Sequence, residues 1–245
     1  RLLKKKMRQS MRRKSFFLKK PNMYPVKEHI LELRNSLPQD ITLVAVSKYH
    51  PAEYIEEAYS VGQRVFGESH VQELRQKEDV LPKDIEWHFI GHLQTNKVKY
   101  IVPFVSMIES VDSERLIAEI NKQAFKCNRV VDVLLELHLA IEETKSGFTP
   151  EELNDLMVSG IKEKYPNVRI CGIMTMASFT EDEQLIESEF EEASHTFDKI
   201  KTDYFSSDDY FSVRSWGMSG DYHLAIKHNS NMIRVGTLLF GPRVY

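Results

Sequence analysis

The chain has 245 residues, 42% of them hydrophobic and 28% charged, with a formal net charge of −3. That is enough apolar side chain for one sizeable core and enough charge for solubility, and no apolar run approaches the roughly 20 residues of a membrane span. The charge is uneven: residues 1–20 hold ten Lys or Arg and no acid, which leaves 23 basic residues against 36 acidic ones, a net −13, in an acidic body that does not favour nucleic acid.

In chain order, residues 1–22 read as a basic arm, disordered or not part of the native protein. The arm has no apolar core of the kind a secretion signal needs, and ordinary composition begins at Met23. A transit peptide, a nucleic-acid tail and upstream read-through all fit it. Residues 23–245 read as one domain.

From Pro25 onward, short runs rich in β-branched and aromatic residues alternate with longer polar stretches that carry apolar residues at helical spacing. Ile41–Ser47 predicts the first strand. A helix follows from Pro51, at its favoured first-turn position, and stops at Gly62. Arg64–Gly67 predicts a second strand and Ser69–Leu81 a helix. Glu86–Ile90 predicts a third strand, followed by a helix through Lys97 and Tyr100. Val105–Ser110 predicts a fourth, with Asp112 or Ser113 capping the next helix. Val130–Leu139 predicts a fifth, apolar except at Asp132, Glu136 and His138, and Pro150 opens the helix after it. Val168–Met176, Phe211–Trp216 and Met232–Val235 complete a set of about eight, with a long amphipathic helix over residues 181–203. The fold class expected is α/β, a single (β/α)8 TIM barrel. A doubly wound open sheet is the rival, but there is no glycine fingerprint of a dinucleotide fold.

Three features carry chemistry. Lys48 directly follows Leu43-Val44-Ala45-Val46-Ser47, where a buried strand leaves the sheet, and active sites of barrels lie at that face. An amine held against apolar walls loses solvation and becomes a nucleophile for carbonyls, although a lysine snorkelling out of a strand end gives the same pattern. In Ser215-Trp216-Gly217-Met218-Ser219-Gly220-Asp221 a strand gives way to a helix. Small residues there let backbone N–H groups approach an anion and Ser219 adds a hydroxyl, while Ser219 as an ordinary helix cap is the alternative. Ile233-Arg234-Val235-Gly236-Thr237 is the last strand and its exit. Gly236 and Thr237 offer further donors, and barrels frequently bind phosphate after strands seven and eight. Arg234 lies within that strand, where it either faces the surface or needs a partner. Together the three suggest a phosphate-bearing aldehyde with its carbonyl near Lys48.

The nine histidines show no metal spacing, so no metal site is expected. His88 alternates in strand three toward the barrel interior, as a core histidine would. His92, Gln94, Asn96 and Lys97 either line the barrel mouth or cap a helix. Cys127 and Cys171 read as free thiols.

These segments together resemble the pyridoxal phosphate homeostasis protein family, whose fold is like the N-terminal barrel of alanine racemase. The resemblance runs from about Val26 to Arg243. It rests on Val44-Ala45-Val46-Ser47-Lys48, Phe66-Gly67-Glu68, Val71-Gln72-Glu73-Leu74, Trp87-His88-Phe89-Ile90-Gly91 and Leu93-Gln94-Thr95-Asn96-Lys97. Lys145-Ser146-Gly147, Gly172-Ile173-Met174-Thr175-Met176, Gly217-Met218-Ser219, Ile233-Arg234-Val235-Gly236-Thr237 and Phe240-Gly241 continue it. One departure is Ser69, where the family commonly carries Asn.

The resemblance implies pyridoxal phosphate as cofactor, bound to Lys48 as a Schiff base. Ser219, Gly236 and Thr237 would hold its phosphate, Met218 would also contact the cofactor, and Arg234 would approach the pyridine nitrogen. It implies a monomeric cytoplasmic carrier that keeps the cofactor for intracellular homeostasis, with apo forms of pyridoxal phosphate enzymes as partners. No catalytic residue is assured. The alternative is an amino-acid racemase using the same Schiff base. Racemisation needs acid/base groups on both faces of the substrate carbon, and a chain ending at Tyr245, just after its last strand, is expected to lack the second domain that completes such a site.

Overall fold

The structure is a computed structural model that describes residues 24–140 and 146–242. The expectations for the basic arm, Met23, Lys145 and Arg243 lie outside the described residues.

Each strand is short and is followed by a helix or turn that returns the chain to the same end, so neighbouring strands run parallel. In order these are β1 (Thr42–Val46), β2 (Val65–Glu68), β3 (Glu86–Phe89), β4 (Met107–Val111), β5 (Val131–Leu137), β6 (Val168–Thr175), β7 (Val213–Ser215) and β8 (Met232–Val235). They pair in sequence order, and β8 closes on β1 with Val44 opposite Arg234 and Ala45 opposite Val235. The result is the eight-stranded (β/α)8 barrel that the alternating pattern predicts; the open sheet is not formed.

The helices are α1 (Val26–Ser36), α2 (Ala52–Ser60), α3 (Val71–Val80), α4 (Glu114–Lys126), α5 (Pro150–Val158), α6 (Ile161–Lys164), α7 (Glu183–Tyr204), α8 (Tyr222–Lys227) and α9 (Thr237–Phe240). Their starts follow local chemistry. Ser113 caps α4 by accepting from the Leu116 N–H. Thr149 and Glu152 form a reciprocal capping box around Pro150 at the start of α5. Asp182 accepts from the N–H groups of Gln184 and Leu185 at the start of α7. After β3 the expected helix is a 3-10 helix, Thr95–Tyr100, whose only buried residue is Val98. One apolar contact per turn does not favour a longer α-helix.

Alternation divides the barrel residues into two sets. Outward-facing Leu43, Phe66, Trp87, Ile108, Val133 and Ile233 pack against the helices in the main core. Inward, Val44, Met107, Leu134, Cys171, Met174 and Met232 form a second apolar cluster. On three strands the next inward position toward the C-terminal end is polar: Glu109 after Met107, Ser215 after Val213, Arg234 after Met232. The interior is therefore apolar below and polar toward the mouth, where the loops carry Lys48 and the two glycine segments. Among the described residues no helix is long and apolar enough to cross a membrane.

Candidate functional site

Lys48 stands two residues beyond the end of β1, half-buried, on the C-terminal face of the barrel. The exits of β7 and β8 lie beside it. The Ser219 hydroxyl accepts from the Gly236 N–H at 3.2 Å, which ties the two glycine segments into one cradle. Gly236 packs closely on the strand that leads to Lys48: a Cβ there would come within 3.1 Å of the Val46 carbonyl oxygen, a contact that β1 could relieve only by giving a few tenths of an ångström. Gly217 has φ +95°, and a Cβ on it would meet the Ala225 side chain at 2.6 Å. The N–H groups of Ser219, Gly220 and Thr237 donate to no acceptor among the described residues. Asp221 holds the turn between them by accepting from the Met218 N–H, and burial pushes its carboxyl above the usual range.

These elements surround one cavity of about 480 Å³. Lys48, Met218, Ser219, Arg234, Gly236 and Thr237 all line it, so the structure brings the six sequence-predicted site residues together. The loop after β6 supplies a wall that the sequence did not point to, from Met176 to Thr180. It is held by Glu189 of α7, which accepts from the Ser178 N–H at 2.7 Å and its hydroxyl at 2.6 Å. A wider hollow of about 860 Å³ lies on the outer side of the β1 exit, lined by Tyr24, Tyr54 and Phe240 among others. It contains neither Lys48 nor the glycine cradle, so it does not match the predicted chemistry.

Below the cavity is the polar layer. Arg234 is buried and inward-facing. Its Nη1 donates to the Ser215 carbonyl (2.7 Å) and hydroxyl (2.6 Å), and its Nη2 donates to the Thr175 carbonyl (2.8 Å). Ser215 in turn donates to Glu109 Oε2 at 2.6 Å, and His88 Nδ1 lies 2.7 Å from Glu109 Oε1. Burial alone would push the Glu109 carboxyl up. The His88 bond, the His88 and Arg234 charges and the Ser215 bond overcome it and hold Glu109 below the usual carboxylate range. With Glu109 ionised, the His88 nitrogen facing it carries the proton. Burial also pulls Arg234 down from its ordinary value, opposed by Glu109, Asp221 and Glu136. A guanidinium keeps its charge through such a shift. The result is a chain, His88–Glu109–Ser215–Arg234, that delivers one fixed cation to the cavity floor. The surface-facing alternative for Arg234 is overturned by its burial, and His88 is the satisfied interior histidine of the expectation.

Other residues fall elsewhere. His92, Gln94 and Asn96 line a separate small hollow, with His92 Nδ1 3.1 Å from Asp112, and Lys97 is exposed beside them. Ser69 is not among the cavity's lining residues; its hydroxyl is buried without a partner among the described residues. Cys127 is exposed and Cys171 buried, both free.

Comparison with known proteins places these features in context. The family model for the alanine racemase N-terminal domain matches residues 23–244. A pyridoxal phosphate homeostasis protein of Aquifex aeolicus is 41% identical over 204 residues, spanning 83% of this chain and 87% of that protein. One of Schizosaccharomyces pombe is 35% identical over 210 residues, spanning 84% and 85%. The solved structure of PipY from Synechococcus elongatus with PLP bound matches with a TM-score of 0.79 at 33% identity, over 88% of this chain and 100% of that one. An alanine racemase from E. faecalis matches with a TM-score of 0.66 at 18% identity, over 89% of this chain and 57% of that one, a likeness of fold alone.

Proposed function

Because the chain belongs to the pyridoxal phosphate homeostasis protein family, built on the alanine racemase N-terminal fold, we propose that it binds pyridoxal phosphate as a reversible Schiff base on Lys48 and serves the intracellular homeostasis of that cofactor. The observation that carries the reading is the single cavity in which an amine, a glycine cradle and a buried guanidinium converge.

The residues present fit the group. Ser219, Gly220 and Thr237 offer three N–H donors, without an acceptor among the described residues, to a phosphate, with Met218 shaping the same turn. Gly236 removes the side chain that would stand between the cradle and β1. Arg234 is the residue assigned to the pyridine nitrogen. When bound, the cofactor supplies an aldehyde for exchange between amines and a ring able to withdraw electrons. Lys48 adds its amine to that aldehyde with loss of water, and water reverses the bond. A permanent cation beside the ring nitrogen disfavours its protonation, and an unprotonated ring withdraws electrons poorly. The His88–Glu109–Ser215 chain keeps that cation in place. Holding and handing over the cofactor, in place of sustained turnover on amino acids, follows.

The reading carries a cytoplasmic, monomeric protein that passes its cofactor to apo forms of pyridoxal phosphate enzymes. The alanine racemases match at 18% identity or below, which is a likeness of fold and does not favour the rival reading of a racemase. The test is borohydride reduction of the purified, cofactor-loaded protein and mapping of the labelled peptide. The adduct is expected on Lys48 and absent in Lys48→Ala. An adduct on another lysine sinks the assignment.

A further inference from the structure

The segment around Lys48 has an unusual backbone. Tyr49, its C-terminal neighbour, sits at φ +66°, in the left-handed region that non-glycine residues rarely occupy. Such a residue persists only when its surroundings over-determine it, and such residues cluster at functional sites. Here the surroundings are a buried cluster on the far side of β1 from the cavity.

At its centre is Lys77 of α3, whose ammonium is almost fully buried with all three N–H donors used. Nζ donates to the Ser47 carbonyl (2.8 Å), to Glu68 Oε1 (2.6 Å) and to Glu73 Oε1 (2.7 Å). The two carboxylates reach the chain on either side of Lys48. Glu68, at the end of β2, accepts from the Ser47 hydroxyl at 2.6 Å. Glu73 accepts from the Tyr49 N–H at 2.7 Å. Residue 47 is thus gripped through its carbonyl and its hydroxyl, and residue 49 through its amide. Lys48 is the residue between them. Burying one ammonium with two carboxylates is costly where packing alone would serve, and burial lifts Glu68 to about 7 despite Lys77 and Ser47. An arrangement that costs stability and converges on one backbone segment is built for position.

We propose that Lys77, Glu68 and Glu73 form a positioning cluster that fixes the backbone on both sides of Lys48 and so aims its amine into the cavity. The proposal rests on the reading of Lys48 as the cofactor-bearing amine, and it deepens it. None of the three residues lines the cavity, and their bonds to residues 47 and 49 are what link them to it.

Glu73 lies near the surface and gives the cleanest test. Glu73→Gln keeps a side-chain oxygen that can accept from both Tyr49 and Lys77, whereas Glu73→Ala removes it. Two readouts are taken on the full chain besides its retention of pyridoxal phosphate. One is hydrogen exchange at the Tyr49 amide in the cofactor-free protein. The other is the rate at which trace acetic anhydride labels Lys48 relative to exposed lysines, followed across pH by mass spectrometry. In Glu73→Ala, Tyr49 exchange should accelerate at least tenfold and the relative labelling of Lys48 should change several-fold. Pyridoxal phosphate should be retained about tenfold more weakly. Glu73→Gln should restore all three.

Lys77→Met should exceed Glu73→Ala in each readout if it folds, and the Glu73 pair decides the matter if it does not. Faster Tyr49 exchange with unaltered Lys48 labelling and cofactor retention would make the cluster purely structural and overturn the proposal. If wild-type protein yields no reduced adduct on Lys48, the cofactor reading fails. The labelling of Lys48 in the Glu73 pair then still decides whether the cluster positions that amine.

Discussion

Glu136 offers a quantitative check on the polar floor of the barrel. It lies on β5 with only 3% of its surface exposed, and its Oε1 accepts from the Ser146 hydroxyl at 3.2 Å. Burial pushes its carboxyl from the ordinary 4.5 up to about 7. Asp112 pushes the same way, and the Ser146 bond and the Arg234 and His92 charges only partly oppose it. Between those two pH values the folded protein holds a proton that the unfolded chain has released. Stability therefore falls as pH rises from about 4.5 to about 7 and is flat above. The difference between 4.5 and about 7 corresponds to about 3 kcal/mol.

Glu136→Gln replaces the neutral acid with a neutral amide of the same shape. The variant should exceed the wild type by under about 1 kcal/mol at pH 5 and by up to about 3 kcal/mol at pH 8, the latter roughly 6–12 °C in Tm for a chain of this size. Urea unfolding of the cofactor-free proteins at both pH values measures it. Glu68 is also lifted to about 7, so both proteins keep a residual slope of the same sign, and the difference between them isolates Glu136. If Glu136→Gln is equally destabilising at pH 5 and pH 8, Glu136 is ionised and paired in the folded protein and the reasoning is refuted.

Three further outcomes follow from the same geometry. Ser219→Ala removes the oxygen that bridges to Gly236 and should weaken retention of pyridoxal phosphate by about 1.5–3 kcal/mol, the range of one charge-assisted hydrogen bond. Equilibrium dialysis reads this, and pyridoxal binding as tightly as its phosphate would place the anion site elsewhere. Glu109→Gln leaves the Arg234 guanidinium without its carboxylate and should cost about 3–5 kcal/mol of stability in denaturant unfolding at pH 7. Because Glu109 is held below its ordinary value, that cost should shrink as acid protonates the wild-type group; a cost that persists undiminished at low pH would argue against an ionised Glu109. Incubating the loaded protein with each amino-acid enantiomer in deuterated water should show spectral perturbation without sustained α-proton exchange. Turnover around 1 s⁻¹ or faster, lost in Lys48→Ala, would make this an enzyme and overturn the carrier reading.

The strands were readable because parallel strands buried on both faces are near-continuous apolar runs, and β8 has the predicted bounds. The misreadings have local causes. The seventh apolar run predicts a strand over Phe211–Trp216, but β7 is only Val213–Ser215. Phe211 stacks on Phe205 at 4.2 Å and Phe197 at 4.9 Å, plugging the outer core before the strand begins. Trp216 donates its indole N–H to the His228 carbonyl after the strand has ended. Apolar periodicity reports burial, and here burial outruns the strand at both ends.

The site was half legible for a related reason. Arg234 interrupts the otherwise apolar β8, and a charge in that setting must have a partner. Glu109 shares β4 with Ser110, and Glu136 shares β5 with Asp132, which pairs with Arg169, so pattern alone does not single them out. Nor does it show that strands three, four, seven and eight bring His88, Glu109, Ser215 and Arg234 into one chain. Lys77 carries no such mark. It sits on a polar helix among Arg75, Gln76, Glu78 and Asp79, indistinguishable by pattern from a solvated lysine. Only the packing of α3 against the ends of β1 and β2 buries its ammonium. Its acceptors come from residues 30, 9 and 4 positions away, so no short motif can hold them. A strand shows a buried charge as an exception to its own pattern; a polar helix hides one, which is why the residue gripping the Lys48 segment emerges only from the folded arrangement.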